Sequence, residues 1–154
     1  MSTLKNTLQA DLHSAMREKN SMVTSTLRMV LAAITNEEVS GKEARELNDQ
    51  DLITVLNREA KKRREAASAY DDAHRPELAA KEREELDVII RYLPAALSDD
   101  ELAQIISGAV ASVAAQGMTG PSAMGAVMKI VTPQVAGRAD GGQVAAGVKQ
   151  ALSN

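Results

Sequence analysis

Arg58, Lys61, Lys62, Arg63 and Arg64 crowd seven consecutive positions, and these cations are the side chains of this chain best suited to meeting an anionic surface. At about 100° per residue of helix, Arg58, Lys61, Lys62 and Arg64 spread over the side opposite Leu52, Leu56, Ala60 and Ala67, which makes one basic face. Each could neutralise a phosphate in a salt-dependent contact with an RNA backbone. The same row also reads as a solvated helix face, balanced by Glu65 and by acids on neighbouring helices. Arg63 differs, because the wheel puts it inward among Leu56, Ala60, Ala67 and Tyr70. A guanidinium buried there without a partner is strongly unfavourable, so a carboxylate is expected within reach, from Glu59, Glu38, Glu85 or Asp87, or else a snorkelling position at the bundle's edge.

A second place where an anion could sit is the turn Arg138-Ala139-Asp140-Gly141-Gly142, where flexible backbone leads into a helix N-terminus with free N–H groups. Asp140 competes with that use. As an N-cap its carboxylate takes the amides a phosphate would need, and Arg138 then pairs with Asp140 or with a helix C-terminus.

Catalytic constellations are not visible. His13 falls near the inward stripe of the first helix and His74 at the end of the third, so the two are not expected to meet. Asp71-Asp72 and Asp99-Asp100 are adjacent pairs that diverge by about 100° on a helix, so they read as helix-end and cap acids. The chain has no cysteine and no spacing suited to a metal site, and it lacks a P-loop and a Gly-Ser-rich amidase loop. No cofactor is expected. Tyr70 and Tyr92 are the only aromatic residues, which leaves no stacking platform for unpaired bases.

The elements that hold these side chains are helical throughout. Of 154 residues 44% are apolar, without Phe or Trp, so cores of Leu, Ile, Val, Met and Ala are expected, as in closely packed helices. Leu4, Leu8, Leu12 and Met16 mark a first helix, and Asn20 starts a second with Val23, Leu27, Val30, Leu31 and Ile34. Asn48 caps a third that extends to about His74. Pro76 opens a fourth with Leu78, Leu86, Ile89, Ile90 and Leu93 inward. Pro94 stops it, and Ser98 with Glu101 makes a capping box for the next helix.

The domain boundary is placed here, giving an N-terminal helical domain, 1–95, with a long antiparallel hairpin, and a small three-helix domain, 96–154. In the second, Leu102, Ile105, Ile106, Ala109, Val110 and Val113 face inward and Gly117 ends the first helix. Pro121 opens the next, Pro133 interrupts the helical run beyond it, and Gly137 closes that helix through a positive φ. Asp140 and Gln143 form a capping box for the last helix, which carries Val144, Val148 and Leu152. Met118, Met124 and Met128 are either core or a surface on which a partner helix could dock.

Net charge is −3, so any nucleic-acid contact must come from a local patch. The N-terminus lacks a basic segment followed by an apolar block, and no apolar run approaches the ~20 residues of a membrane span. A soluble cytoplasmic protein without membrane contact is expected. There is no internal repeat or heptad series, and oligomeric state is left open.

Gly137-Arg138-Ala139-Asp140-Gly141, with Met124-Gly125-Ala126-Val127-Met128 and Arg91-Tyr92-Leu93-Pro94, resembles the signature of the GatB/YqeY family over essentially the whole chain. The resemblance implies an all-α fold and a free-standing small protein. It also implies kinship with the tail of the B subunit of the glutamine-dependent aminoacyl-tRNA amidotransferase, a tRNA-contacting and not a catalytic element. The expectation is a non-catalytic accessory module that binds tRNA or associates with the amidotransferase. A protein-interaction module without RNA contact is the alternative, and carbon–nitrogen ligase activity with glutamine as donor follows by family association only. Where the family is expected to carry basic residues, this chain has Ala126 and Gln134-Val135-Ala136. From Asp99 onward three basic residues (Lys129, Arg138, Lys149) face four acidic ones (Asp99, Asp100, Glu101, Asp140). RNA contact is therefore expected on the third helix.

Overall fold

The computed structural model describes residues 2–154, and the described residues form seven α-helices and one 3₁₀ turn, with no strand. The chain is all-α, as its composition predicts. It divides into two compact units, one running to Leu93 and the other from Pro94 to Asn154.

The first unit holds α1 (Thr3–Arg17), α2 (Ser21–Glu38), α3 (Asp49–Asp72) and α4 (Pro76–Ile90). Three of the four starts are capped by short polar side chains that accept orphan N–H groups: Ser2 from Lys5, Asn20 from Val23, and Asn48 from Asp51 in a full capping box. Pro76 at the first turn opens α4, whose own cap position, Arg75, makes no side-chain cap bond.

Two helices close on a left-handed residue other than glycine. α3 stops at Asp72, and His74 adopts a left-handed φ of 58°. Its N–H donates to the Asp71 carbonyl while the Arg75 N–H donates to Tyr70, closing a Schellman motif around a residue that is not glycine. Lys19, at φ 57°, does the same for α1, with N–H bonds from Lys19 to Met16 and from Asn20 to Ala15.

α3 and α4 run antiparallel as the expected hairpin, and the core beneath it gathers Leu8, Leu27, Ile34, Leu52, Leu56, Val88 and Ile89. Ile90 and Met16, expected inward, are 43% and 46% exposed. Val88 fills the place assigned to Ile90, because it precedes the stripe residue Ile89 and both are fully buried. His13, also expected near the inward stripe, is exposed, since Leu12 and Ala15 take the covered side of α1.

The second unit holds α5 (Asp99–Ala114), a 3₁₀ turn (Pro121–Ala123), α6 (Met124–Val135) and α7 (Gly141–Ser153). Ser98 and Glu101 make the expected capping box, and Gly117, at φ 87°, closes α5 in a third Schellman motif with Met118 donating to Val113. Pro133 does not interrupt α6 but lies within it. Val131 and Val135, both buried, hold the helix on either side, while the proline ring sits on the exposed face and costs one bond near the end. The core is built from Leu102, Ile106, Val113, Val127, Val131, Val144 and Val148, without an aromatic ring. No helix among the described residues is long and apolar enough to cross a membrane.

Candidate functional site

Among the described residues α3 is the longest helix, and it carries the densest run of cations. Arg58, Lys61, Lys62 and Arg64 are all exposed, while Leu52, Leu56, Ala60 and Ala67 are buried beneath them. The four cations differ in what they touch. Arg58 Nη1 lies 3.0 Å from Glu37 Oε2, with side chains 52% and 28% exposed. Lys62 Nζ lies 2.9 Å from Glu59 Oε1, whose side chain is only 9% exposed. Lys61 and Arg64 make no hydrogen bond or ion pair among the described residues.

Arg58 has a partner for a reason the sequence signals only indirectly. Glu37 and Glu38 occupy the last turn of α2, where the helix dipole is negative and acids are disfavoured, and that turn has no basic residue of its own. Lys5 neutralises Glu38 across 2.6 Å, and Arg58 neutralises Glu37.

Beneath this face Arg63, 11% exposed, is held between two carboxylates. Its Nη1 donates to Glu59 Oε2 at 2.9 Å on its own helix, and its Nε lies 3.4 Å from Glu85 Oε2 on α4 without a hydrogen bond. Glu59 and Glu85 are two of the four partners expected from sequence. Both are buried, so charge is taken out of water here in the hairpin core. Further out, Arg83 of α4 pairs with Asp71 of α3, and that contact holds the Asp71 carboxyl below its ordinary range.

Other polar contacts that sequence reasoning missed tie α1 into the same unit. The Asp49 carboxylate accepts from the Ser2 hydroxyl and from the Leu4 N–H, and these bonds lower its pKa. Tyr92 donates its hydroxyl to Asp11 Oδ2 at 2.6 Å. Neither partner is close in sequence, so no local pattern announces them.

In the second unit the turn after α6 is a fastening. Ala136 (φ −53°, ψ 124°) and Gly137 (φ 75°) are the central residues of a type II turn, with the Arg138 N–H donating to the Val135 carbonyl. Gly137 thus follows α6 as a turn residue. Arg138 pairs neither with Asp140 nor with a helix C-terminus, the two partners its sequence position suggests. Its Nε donates to the Ala95 carbonyl at 3.1 Å and its own carbonyl accepts from the Leu97 N–H at 2.9 Å, so both ends of the residue hold the segment leading into α5.

Asp140 caps α7 by accepting from the Gln143 N–H, but only half of the capping box forms. The Gln143 side chain reaches Asp99 Oδ1 instead, because α5 and α7 start at the same end of the unit. The carboxylate thus occupies the end that an anion would need, and Gly141 begins the helix.

Two open clefts flank α5. One, of about 590 Å³, lies toward α6 and includes Glu101, Gln104, Gly108, Gln134 and Arg138. The other, of about 720 Å³, lies toward α7 over Leu102, Ile106, Val110, Gly147 and Ala151. Met118 is 40% exposed, whereas Met124 and Met128 pack partly against the core. Among the described residues no three His, Asp or Glu side chains are grouped to hold a metal ion.

Fold and surface together define an all-helical protein whose polar features are caps, ion pairs and one cation-bearing helix face. The chain belongs to the Yqey-like protein family, which matches it over residues 5–152. Relatives named "Altered inheritance of mitochondria protein 41, mitochondrial" are similar to it. That of Meyerozyma guilliermondii is 36% identical over 88 residues, 57% of this chain and 45% of the relative. That of Clavispora lusitaniae is 35% identical over 102 residues, 64% and 58% respectively. The Pyrenophora tritici-repentis protein is 29% identical over 135 residues, 86% of this chain and 71% of the relative. The chain thus spans about half the length of the first two relatives.

Proposed function

We propose that this chain is a non-catalytic accessory module that contacts the phosphate backbone of a folded RNA, tRNA being the expected case, through the outer face of α3. The observation that carries the reading is that Lys61 and Arg64 are exposed, three residues apart and without an acidic partner among the described residues. Solvated and unpaired, both can neutralise a phosphate without first giving up a carboxylate, which is what a salt-dependent backbone contact uses. Arg58 and Lys62 lie on the same side but are engaged by Glu37 and Glu59, so the contact rests first on the other two. Association with a tRNA amidotransferase belongs to the same reading, as a way of bringing that RNA to an enzyme. The reading does not depend on compartment: the sequence points to the cytoplasm, and the relatives are mitochondrial by name.

Binding of an unmodified tRNA transcript, measured against salt, tests it. Replacing Lys61 and Arg64 by Glu should weaken binding and flatten the log–log salt slope by about 0.7–0.9 for each phosphate no longer neutralised. Absence of binding by the unaltered chain at low salt rejects the reading.

A second reading rests on the apolar cleft between α5 and α7, with Met118 exposed in the same unit. A protein partner would lay an apolar helix face there. Capture of a partner that survives RNase treatment, and is lost on placing Glu at Val110, favours this reading over the first.

A further inference from the structure

Arg58, Lys61 and Arg64 follow one another at intervals of three, so on a helix they form a single row, with neighbouring Cβ atoms about 5–6 Å apart. Only the first member is engaged, by Glu37 from α2. Lys62 stands off this row and leans toward the buried Glu59, which also holds Arg63. The two ion pairs therefore differ in kind. Glu59 cannot turn away without leaving Arg63 short of a partner in the core. Glu37 is at the surface, its pair with Arg58 is solvated, and exposed pairs of this sort are weak.

From this contrast we infer that Glu37 is an internal competitor for phosphate at Arg58, an autoinhibitory contact that holds the RNA-binding row at two free cations until a backbone phosphate displaces the carboxylate. The inference rests on the RNA-binding reading of α3 and adds its regulation. Displacement extends the row to three without moving a helix, since only the exposed Arg58 and the half-buried Glu37 change rotamer. The cost to Glu37 is that of one solvated ion pair, because its carboxylate returns to water. The competing anion is on the protein itself, so affinity is set partly by Glu37 and rises when its charge is removed.

The experiment is a double-mutant cycle with tRNA transcript on the full chain. E37Q should bind about two- to fivefold tighter at low salt, the range of an exposed ion pair, with a log–log salt slope close to the parent's, because Arg58 meets a phosphate in both complexes. In an R58Q background the same E37Q change should give no gain. Unchanged binding by E37Q, while the parent binds, overturns the inference and leaves the RNA reading intact. An equal gain in the R58Q background also overturns it, because the effect is then only the removal of one negative charge. If the parent does not bind at all, the RNA reading fails and takes the inference with it. E37Q retains the helix and relieves an unfavourable dipole contact, so helical circular dichroism equal to the parent's is expected and checks that folding is not the cause.

Discussion

The Tyr92 hydroxyl donates to Asp11 Oδ2 at 2.6 Å, joining the turn after α4 to the middle of α1 across 81 residues of sequence. Burial first, and then this bond to a carboxylate, raise the Tyr92 pKa above its usual value near 10. The folded state therefore keeps the phenol proton more tightly than the unfolded chain does. Its contribution to stability is complete below about pH 10 and is lost as pH rises beyond that value toward the folded pKa. Tyr92→Phe should cost about 1.5 kcal/mol at pH 7, as expected of a hydrogen bond to a charged acceptor. The variant should lose less stability than the parent between pH 9 and pH 11. Urea unfolding of both proteins at the three pH values measures this, and parallel losses would refute the assignment.

Arg63 is the second polar anchor of the first unit. Arg63→Met leaves Glu85 buried with no cation beside it, and Glu59 with only Lys62. The expected cost is about 3–5 kcal/mol. Adding Glu85→Leu removes the stranded carboxylate, so the double variant should be more stable than Arg63→Met alone. A double variant less stable than that single one would show that Glu85 does not depend on Arg63. Chemical denaturation monitored by helical circular dichroism gives both numbers.

How much of this was legible depended on whether the determinant was local. Ser98 with Glu101, Asn48 with Asp51, and Pro76 mark helix starts because the side chain and the amide it serves are within three residues. Arg63 was legible for a different reason: a cation on an apolar stripe demands an anion, and Glu59 is one turn away. The partner of Arg138 was not, because the Ala95 carbonyl lies 43 residues off and a backbone oxygen leaves no mark in the sequence. Glu37 was open to inference from its place in the last turn of α2, where an acid needs a cation, but nothing local names Arg58. Pro133 misled because its ring faces solvent, and buried valines on either side outweigh its usual breaking effect.

The ends of α1 and α3 were legible, but their closing geometry was not, since His74 and Lys19 each occupy a left-handed position that glycine usually marks. An L side chain there carries a penalty of about 1–2 kcal/mol, partly returned on mutation to glycine by the greater freedom of the unfolded chain. His74→Gly and Lys19→Gly should each raise stability by about 0.5–1 kcal/mol. Ser68→Gly, on the exposed side of α3 near its C-terminal end, should lower it by about 0.3–0.5 kcal/mol. Thermal unfolding of the three variants decides this by sign alone: destabilisation by His74→Gly would mean that the imidazole contributes something beyond its backbone conformation.

Two glycines in the second unit test packing in the opposite sense. A Cβ built on Gly108, in the middle of α5, meets nothing within 4 Å, whereas one on Gly147 of α7 falls 2.8 Å from Ile106 Cδ1. Both positions are helical, so alanine gains about 1 kcal/mol of propensity at either. Gly108→Ala should realise that gain. Gly147→Ala should realise less of it, because the terminal methyl of Ile106 must first turn aside toward the cleft that it lines. Ile106→Val, which removes that methyl, should cost about 0.5–1.5 kcal/mol by itself. Combined with Gly147→Ala it should cost less than the two single changes added together, as expected when one substitution vacates the space the other needs. Additive effects across that cycle would show that α5 and α7 do not approach as closely as the Gly147–Ile106 contact requires.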